Sequence, residues 1–146
     1  MSVEITVRKA TRADDLANVF SIRRRVFVVE QGLPAELEQY AEDESHHFLS
    51  LVDGEPAGAA RWRRTEMGYK LERFAVLKEF RKLGVGKHLL EQILNDLPDD
   101  AYPIYAHAQT QACFLYESFA FVKTGPEFEE AGIQHYLMIL NRPPLD

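Results

Sequence analysis

Arg81, Lys82, Gly84, Gly86 and Lys87 fall within one short run, Arg-Lys-Leu-Gly-Val-Gly-Lys, and their types suit the holding of an anion. Two glycines two apart let the backbone turn tightly and approach a ligand with no Cβ in the way. The apolar residues that follow predict a helix from about Gly84 to Leu97. Its first N–H groups lack intrahelical partners, and its positive dipole end faces the turn. Together with the three cations, this describes a cradle for phosphate or pyrophosphate. The same pattern also describes a plain strand-to-helix turn with solvated cations.

Two well-known phosphate loops do not fit. A P-loop requires Ser or Thr after its lysine to reach magnesium, and here Lys87 is followed by His88. A dinucleotide fingerprint requires a third glycine three residues on, where this chain has Leu89. Other phosphate-bearing ligands come forward.

The elements that must position this turn follow from periodicity. Val3, Ile5 and Val7 alternate with polar residues, so residues 2–8 read as a strand. Thr11 and Asp14 resemble a capping box opening a helix, with Leu16, Val19, Phe20, Val26 and Phe27 on one face. Pro34 starts a short helical turn. Residues 47–53 and 56–65 read as strands about the turn at Asp53-Gly54, and a strand over about 68–77 leads into the anion turn. Leu89, Leu90, Ile93, Leu94 and Leu97 repeat at helical spacing until Pro98. Strands are expected at 102–108, 120–124 and 134–141, with a helix capped by Thr110 after the first of them. The order β-α-(α)-β-β-β-α-β-α-β-β is that of an α/β or α+β domain with a mixed sheet.

With 146 residues, one domain spanning 1–146 is expected, large enough to bury about two-thirds of its unfolded surface. The composition is 46% apolar and 27% charged, and the net charge of −6 disfavours a nucleic-acid partner. No run of about 20 apolar residues is present, so no membrane span is expected. The N-terminus lacks a signal-peptide pattern. Cys113 is the single cysteine, which permits no internal disulfide and no Cys-x-x-Cys metal site. These observations lead us to expect a metal-free protein of the cytoplasm.

Three stretches resemble the GNAT superfamily of acyl-CoA N-acyltransferases. Phe74-Ala75-Val76, then Leu77-Lys78-Glu79-Phe80 and Arg81-Lys82-Leu83-Gly84-Val85-Gly86, resemble its acyl-CoA signature. Phe114-Leu115-Tyr116-Glu117-Ser118-Phe119-Ala120-Phe121 resembles its Phe/Leu-Tyr-Glu-x-x-Gly-Phe segment, with Ala120 where glycine is usual. Arg25 to Gln31 resembles a small bacterial branch typified by the ElaA-like and YjcF-like proteins. The resemblance covers essentially the whole chain. It implies a mixed, mostly antiparallel sheet with flanking helices, in which the strands at 71–77 and 102–108 run parallel and splay apart.

The resemblance also implies a site. Acetyl-CoA, or another acyl-CoA, is the expected co-substrate. Its pantetheine arm would pair with the backbone of Phe74, Ala75 and Val76 like an added strand. Its pyrophosphate would rest on the amides of Arg81, Lys82, Leu83, Gly84, Val85, Gly86 and Lys87. A Gly84→Val or Gly86→Val change would place a branched side chain where phosphate oxygens must come. Gln109 would bond the pantetheine amides or the acceptor.

Transfer to an amine requires deprotonation of an ammonium whose pKa is about 10.4. It also requires a donor for the developing oxyanion, for which the Val76 N–H is the candidate. Tyr116, on the inward face of its helix, is the candidate acid for the departing thiolate, or else a core tyrosine. The glutamate that many relatives place on the preceding strand corresponds to Ile104 here, so that base is absent. Glu72 is the leading substitute, acting through a water, or else a strand glutamate paired with Lys70 or Arg73. His107 has a suitable intrinsic pKa.

Glu36, Glu38, Glu42, Asp43 and Glu44 form an acidic loop that would attract a cationic amine or simply be solvated. Arg23, Arg24, Arg25, Arg61, Arg63 and Arg64 would be solvated or paired with it, although one of them could read an acceptor carboxylate. Trp62 and Phe48 would line the pocket or belong to the core.

Two functions remain open on these residues. One is an N-acetyltransferase working by direct attack of a primary amine, on a small molecule or peptide, in a ternary complex. The other is a non-catalytic acyl-CoA sensor or interaction module. A nucleotide-binding domain is a third, weaker reading. The apolar last strand could extend a sheet across a homodimer.

Overall fold

A computed structural model describes residues 2–39 and 41–142. Its seven strands follow the order β1-β2-β3-β4-β5-β7-β6 in one sheet. The pairs β1–β2, β2–β3, β5–β7 and β6–β7 are antiparallel, and β4–β5 is parallel. The chain's contacts resolve into two compact units, Met1–Trp62 with Arg73–Asp96, and Arg63–Glu72 with Leu97–Asp146.

In the first unit, β1 (Ile5–Lys9) pairs with β2 (His46–Val52), which pairs in turn with β3 (Glu55–Arg64). Asp53 and Gly54 turn the β2–β3 hairpin, both at positive φ (49° and 84°), the conformation that fits the strand twist in a two-residue loop. α1 (Ala13–Arg23) starts from Arg12 without a side-chain cap, so the Thr11–Asp14 capping box does not form. The helix does not stop at Arg23 but widens into a π-helical stretch over Arg24–Glu30. There Gln31 N–H donates to the carbonyl of Val26, five residues back.

The apolar face predicted for this helix is largely real. Val19, Ile22, Val26 and Phe27 pack with Leu49 of β2, Ala59 of β3 and Ala75 of β4 (Tyr69–Val76). Phe20 lies at the margin of that face, 38% exposed. α2 (Ala35–Glu38) follows Pro34, and α3 (Val85–Asp96) buries Leu89, Leu90 and Ile93 completely. Trp62 and Phe48 belong to the core. The Trp62 indole N–H donates to Asp96 at 2.9 Å, and its ring stacks on His46.

Arg24 and Arg25 are exposed, while Arg23 and Arg61 take the paired alternative. Arg23 and Arg61 are completely buried and converge on two carboxylates. Arg23 meets Glu38 at 2.6 Å and Glu42 at 2.8 Å, while Arg61 meets Glu42 at 2.7 Å. Buried charge without a partner costs several kcal/mol, so these pairs bind the acidic segment to the core. Glu38 and Glu42 therefore hold protein cations, while the carboxylate residues Glu36, Asp43 and Glu44 stay exposed.

In the second unit, β5 (Ile104–Gln109) pairs with β7 (Ile133–Leu140), and β7 with β6 (Phe121–Glu130). The sequence predicts a strand ending at 124, because Gly125-Pro126 breaks the alternation. The chain instead bulges between Thr124 and Phe128 and resumes pairing up to the turn at Ala131-Gly132. β7 lies between β5 and β6, so the last strand cannot extend a sheet across a dimer. α4 (Cys113–Glu117) follows a 3₁₀ turn over Thr110–Ala112 and has no side-chain cap.

Candidate acyl-CoA and acyl-transfer site

The anion turn begins where β4 ends. After Leu77 a 3₁₀ turn over Lys78–Phe80 leads to Arg81. Lys82 and Gly84 both take positive φ, 69° and 95°, which turns successive amides toward one side. α3 then starts at Val85, so the first-turn amides of Val85, Gly86 and Lys87 have no intrahelical acceptor. A Cβ built on Gly84 would meet nothing nearer than His88 Nδ1 at 3.9 Å. The space in front of the turn is open, and a ligand could approach the backbone there. Lys82, Leu83 and Lys87 are exposed.

Arg81 is not a loose cation. Its guanidinium grips Glu30 with two bonds of 2.8 and 2.7 Å, and its Nε donates to the Val76 carbonyl at 3.0 Å. The expected pantetheine strand, Phe74-Ala75-Val76, is thereby tied to the anion turn.

Arg73, immediately before that strand segment, has φ +61°, a left-handed residue inside a strand. Its side chain reaches the Glu38 carbonyl at 3.1 Å and the Glu38 carboxylate at 3.8 Å. No sequence pattern signals this kink, since arginine is not a residue favoured at positive φ. Parallel pairing of β4 with β5 runs from Tyr69↔Ile104 to Leu71↔Ala106, and β4 continues to Val76.

The second unit holds the residues expected to move protons. Tyr116 is buried and packs edge-on against Phe121 at 5.5 Å. Burial pushes its phenol well above the ordinary tyrosine range, and the nearby Cys113 and Glu72 add to the effect. The hydroxyl therefore keeps its proton at neutral pH. Cys113 is itself buried, with its thiol raised chiefly by burial.

Glu72 is also buried. It lies between Arg63 at 3.2 Å and Lys70 at 3.3 Å. Lys70 is thus a pairing partner, as one reading of the sequence has it, and Arg63 is another. Gln109 ends β5 and accepts from the Gln111 amide.

His107 stands near the open end of β5, and Glu130 faces it from β6. Nδ1 of His107 donates to Glu130 at 3.1 Å. Sequence reasoning missed Glu130, Phe128 and His135. The signal was weak, since Phe128 is the one apolar residue among Glu127, Glu129 and Glu130 ahead of the Ala131-Gly132 turn.

Among the described residues, no three His, Cys, Asp or Glu side chains group as metal ligands, and no helix is long and apolar enough to cross a membrane.

A glycine turn at the amino end of a helix, fed by a kinked strand that pairs in parallel with its neighbour, is the architecture of an α/β protein of the acyltransferase type. The family model described as an acetyltransferase (GNAT) domain matches residues 7–142, and the chain belongs to that family. It is 40% identical over 134 residues to the uncharacterized N-acetyltransferase YjcF of Bacillus subtilis (strain 168), covering 89% of this chain and 95% of the relative. Its fold is similar to that of an acyl-CoA N-acyltransferase from Pseudomonas aeruginosa, with a TM-score of 0.79 and 27% identity over 95% of this chain and 99% of the other. Escherichia coli ElaA shares the fold at a TM-score of 0.74 and 24% identity, over 93% and 98% of the two chains. The branch expected from Arg25–Gln31 is thus represented among its relatives.

Proposed function

We propose that this chain is a cytoplasmic N-acetyltransferase, a single domain over 1–146 that moves an acetyl group from acetyl-CoA to a primary amine of a small molecule or peptide. The observation that carries the reading is the Gly84 turn, whose backbone is turned to positive φ with open space in front of it at the amino end of α3. When bound, acyl-CoA supplies an activated thioester carbonyl.

The chain's own residues do the rest. Amides from Arg81 to Lys87 hold the diphosphate, and Phe74, Ala75 and Val76 align the pantetheine arm through their backbone. The Val76 N–H donates to the carbonyl oxygen as it gains charge. Tyr116 keeps its proton for the departing sulfur, and Gln109 bonds the amides of the arm or of the acceptor. Glu72 lies between Arg63 and Lys70, and its part in removing the amine proton is at one remove, through a water.

A second reading, an acyl-CoA sensor without turnover, is favoured by Ile104 where relatives place a glutamate and by the double ion-pairing of Glu72. Two measurements separate them. Thermal unfolding with acetyl-CoA, longer acyl-CoAs, CoA and ATP reads binding, since a ligand of the native state raises its stability. Thiol release against a panel of primary amines reads transfer. Stabilisation by acetyl-CoA with amine-dependent thiol release supports the enzyme, and stabilisation without release supports the sensor. Stabilisation by ATP alone defeats both.

A further inference from the structure

Four side chains meet on one face of the second unit's sheet. His107 on β5 lies with its Nδ1 3.1 Å from Glu130 Oε1. The other oxygen of Glu130 faces His135 Nε2 at 3.9 Å. Phe128 packs edge-on against the His107 ring at 5.1 Å and stacks on His135 at 5.8 Å.

These contacts fix which nitrogen carries hydrogen. The Glu130 carboxyl is held below the ordinary carboxylate range by its bond from His107, with further help from Lys70 and His135, so it is ionised and only accepts. The hydrogen between them therefore sits on Nδ1 of His107. Neutral His107 then presents an unprotonated Nε2, which has no hydrogen-bond partner among the described residues, on a side chain 26% exposed.

His135 is arranged the other way. Its Nδ1 donates to the Ile133 carbonyl at 2.7 Å, and its ring is nearly sealed from solvent. It lies beside the pair and offers no open nitrogen. The other titratable groups around the pair are Tyr105, beside His107 on β5, and Lys70 of β4, which is itself paired with Glu72.

We propose that His107, oriented by Glu130, is the residue that takes the proton from the acceptor amine. The inference rests on the acyltransferase reading and deepens it. The amine nitrogen forms its bond to the thioester carbonyl carbon and the carbon–sulfur bond breaks. The ammonium form of the acceptor gives one proton to His107 Nε2 before it attacks, and its nitrogen loses a second to solvent through a water beside Glu72 as the amide forms. The sulfur takes one from Tyr116, and solvent returns that proton to Tyr116 and removes the one on His107. The sum is one amide, one thiol and one proton released. Glu130 is a positioning residue, since it keeps Nε2 as the free lone pair in the manner of a carboxylate behind a catalytic imidazole.

The test is the pH profile of kcat/KM for the amine in the wild type and in the His107→Gln, Glu130→Ala and Glu72→Gln variants. Thermal unfolding with acetyl-CoA shows that each variant is folded and binds. We expect H107Q to lose about 10²–10⁴-fold in kcat/KM together with the acid limb of the profile, while its stabilisation by acetyl-CoA is retained. E130A should lose part of the same rate while its stabilisation by acetyl-CoA is retained, because the imidazole is no longer held with Nε2 as the free lone pair. E72Q should lower the rate and leave the limb in place, since Glu72 reaches the amine only through a water.

If folded H107Q keeps the wild-type rate and limb, or if the limb follows Glu72 instead, His107 is not the base although the acyltransferase reading stands. If the wild type neither binds acetyl-CoA nor releases thiol, that reading fails and this inference falls with it. The His107 tautomer, read by ¹⁵N shifts in the ligand-free protein, is a separate check. Hydrogen on Nε2 at neutral pH would overturn the role given to Glu130.

Discussion

Arg81 and Glu30 face each other in a bidentate pair, and the same guanidinium holds the Val76 carbonyl. The positive charge nearest the start of the anion turn is thus already matched by protein. Had Arg81 served the diphosphate directly, freeing it from Glu30 would strengthen cofactor binding. As a brace between the π-helical stretch and the end of β4, it should do the reverse. We predict that Glu30→Gln weakens acetyl-CoA binding by about tenfold, roughly 1.4 kcal/mol, and that Arg81→Lys does the same because an ammonium cannot reproduce the fork. Isothermal titration decides the matter, and tighter binding by E30Q would count against the brace.

The two glycines of the turn should fail in different ways. Gly84 sits at φ +95° with open space about a built Cβ, so alanine there meets strain in the backbone and not a clash, at a cost of about 1–2 kcal/mol. Gly86 lies within the first turn of α3, where alanine is the better helix former by about 0.5–1 kcal/mol. We predict that Gly84→Ala lowers the melting temperature of the ligand-free protein and that Gly86→Ala raises it. Both should lose most of the stabilisation by acetyl-CoA. Denaturant unfolding with and without the ligand separates the two effects.

Much of this site was legible because it is local. A strand, a glycine turn and an amphipathic helix are each written in neighbouring residues, and Val85–Asp96 lies within one residue of the helix the spacing predicts. What was not legible depends on partners distant in sequence. Pairing of Arg61 with the acidic loop is one of two readings in the sequence, but its complete burial and its choice of Glu42 at 2.7 Å are not written there. Glu72 looks like a candidate base until Arg63 and Lys70 close on it. The π-helical stretch left no mark, since its apolar residues suit an α-helix equally well. Glu130 was hidden because Gly125 and Pro126 read as the end of a strand that resumes after a bulge.

Ala120 shows how a departure from a family motif takes a physical form. The residue stands at φ +69° after α4, and its carbonyl accepts from Asn141 N–H at 2.9 Å. That is the left-handed position at a helix end where glycine is free of the Cβ penalty. Restoring glycine removes about 1–2 kcal/mol of strain, against about 0.5–1 kcal/mol for the greater freedom of the unfolded chain. We predict a net gain of about 0.5–1 kcal/mol for Ala120→Gly, a rise of roughly 2–4 °C per kcal/mol in melting temperature, with unchanged transfer activity. Calorimetry of the two proteins checks it.

Tyr116 lends itself to a clean substitution, because phenylalanine keeps the ring contact with Phe121 and removes only the hydroxyl. We predict that Tyr116→Phe lowers kcat by about 10²-fold and leaves acetyl-CoA affinity nearly unchanged. The raised phenol also has a sign for stability. Folding favours the protonated form, so its contribution is complete below about pH 10, where the unfolded tyrosine titrates, and declines above it. The variant should lose part of that alkaline decline. Equal rates for Y116F and wild type would remove Tyr116 from the chemistry.

His47 gives the protein a sensitivity on the acid side. It is buried, its Nε2–H donates to the Glu42 carbonyl at 3.2 Å, and its Nδ1 has no partner. A second proton on Nδ1 would be a buried donor with no acceptor, beside the cations Arg23 and Arg61. Burial first, and those two charges after it, depress its pKa. His46 is depressed too, chiefly by burial. A depressed histidine is neutral in the folded chain while its unfolded counterpart takes a proton near pH 6.5. The unfolded state then binds more protons, so stability falls as pH drops below about 6.5. The slope per histidine is at most about 1.4 kcal/mol per pH unit. We predict that His47→Gln, whose amide can still donate to the Glu42 carbonyl, flattens the loss of stability between about pH 6.5 and 5. His46→Asn should remove the remainder. Denaturant midpoints measured across that range test the assignment, and an unchanged slope in both variants would show that neither ring is the sensor.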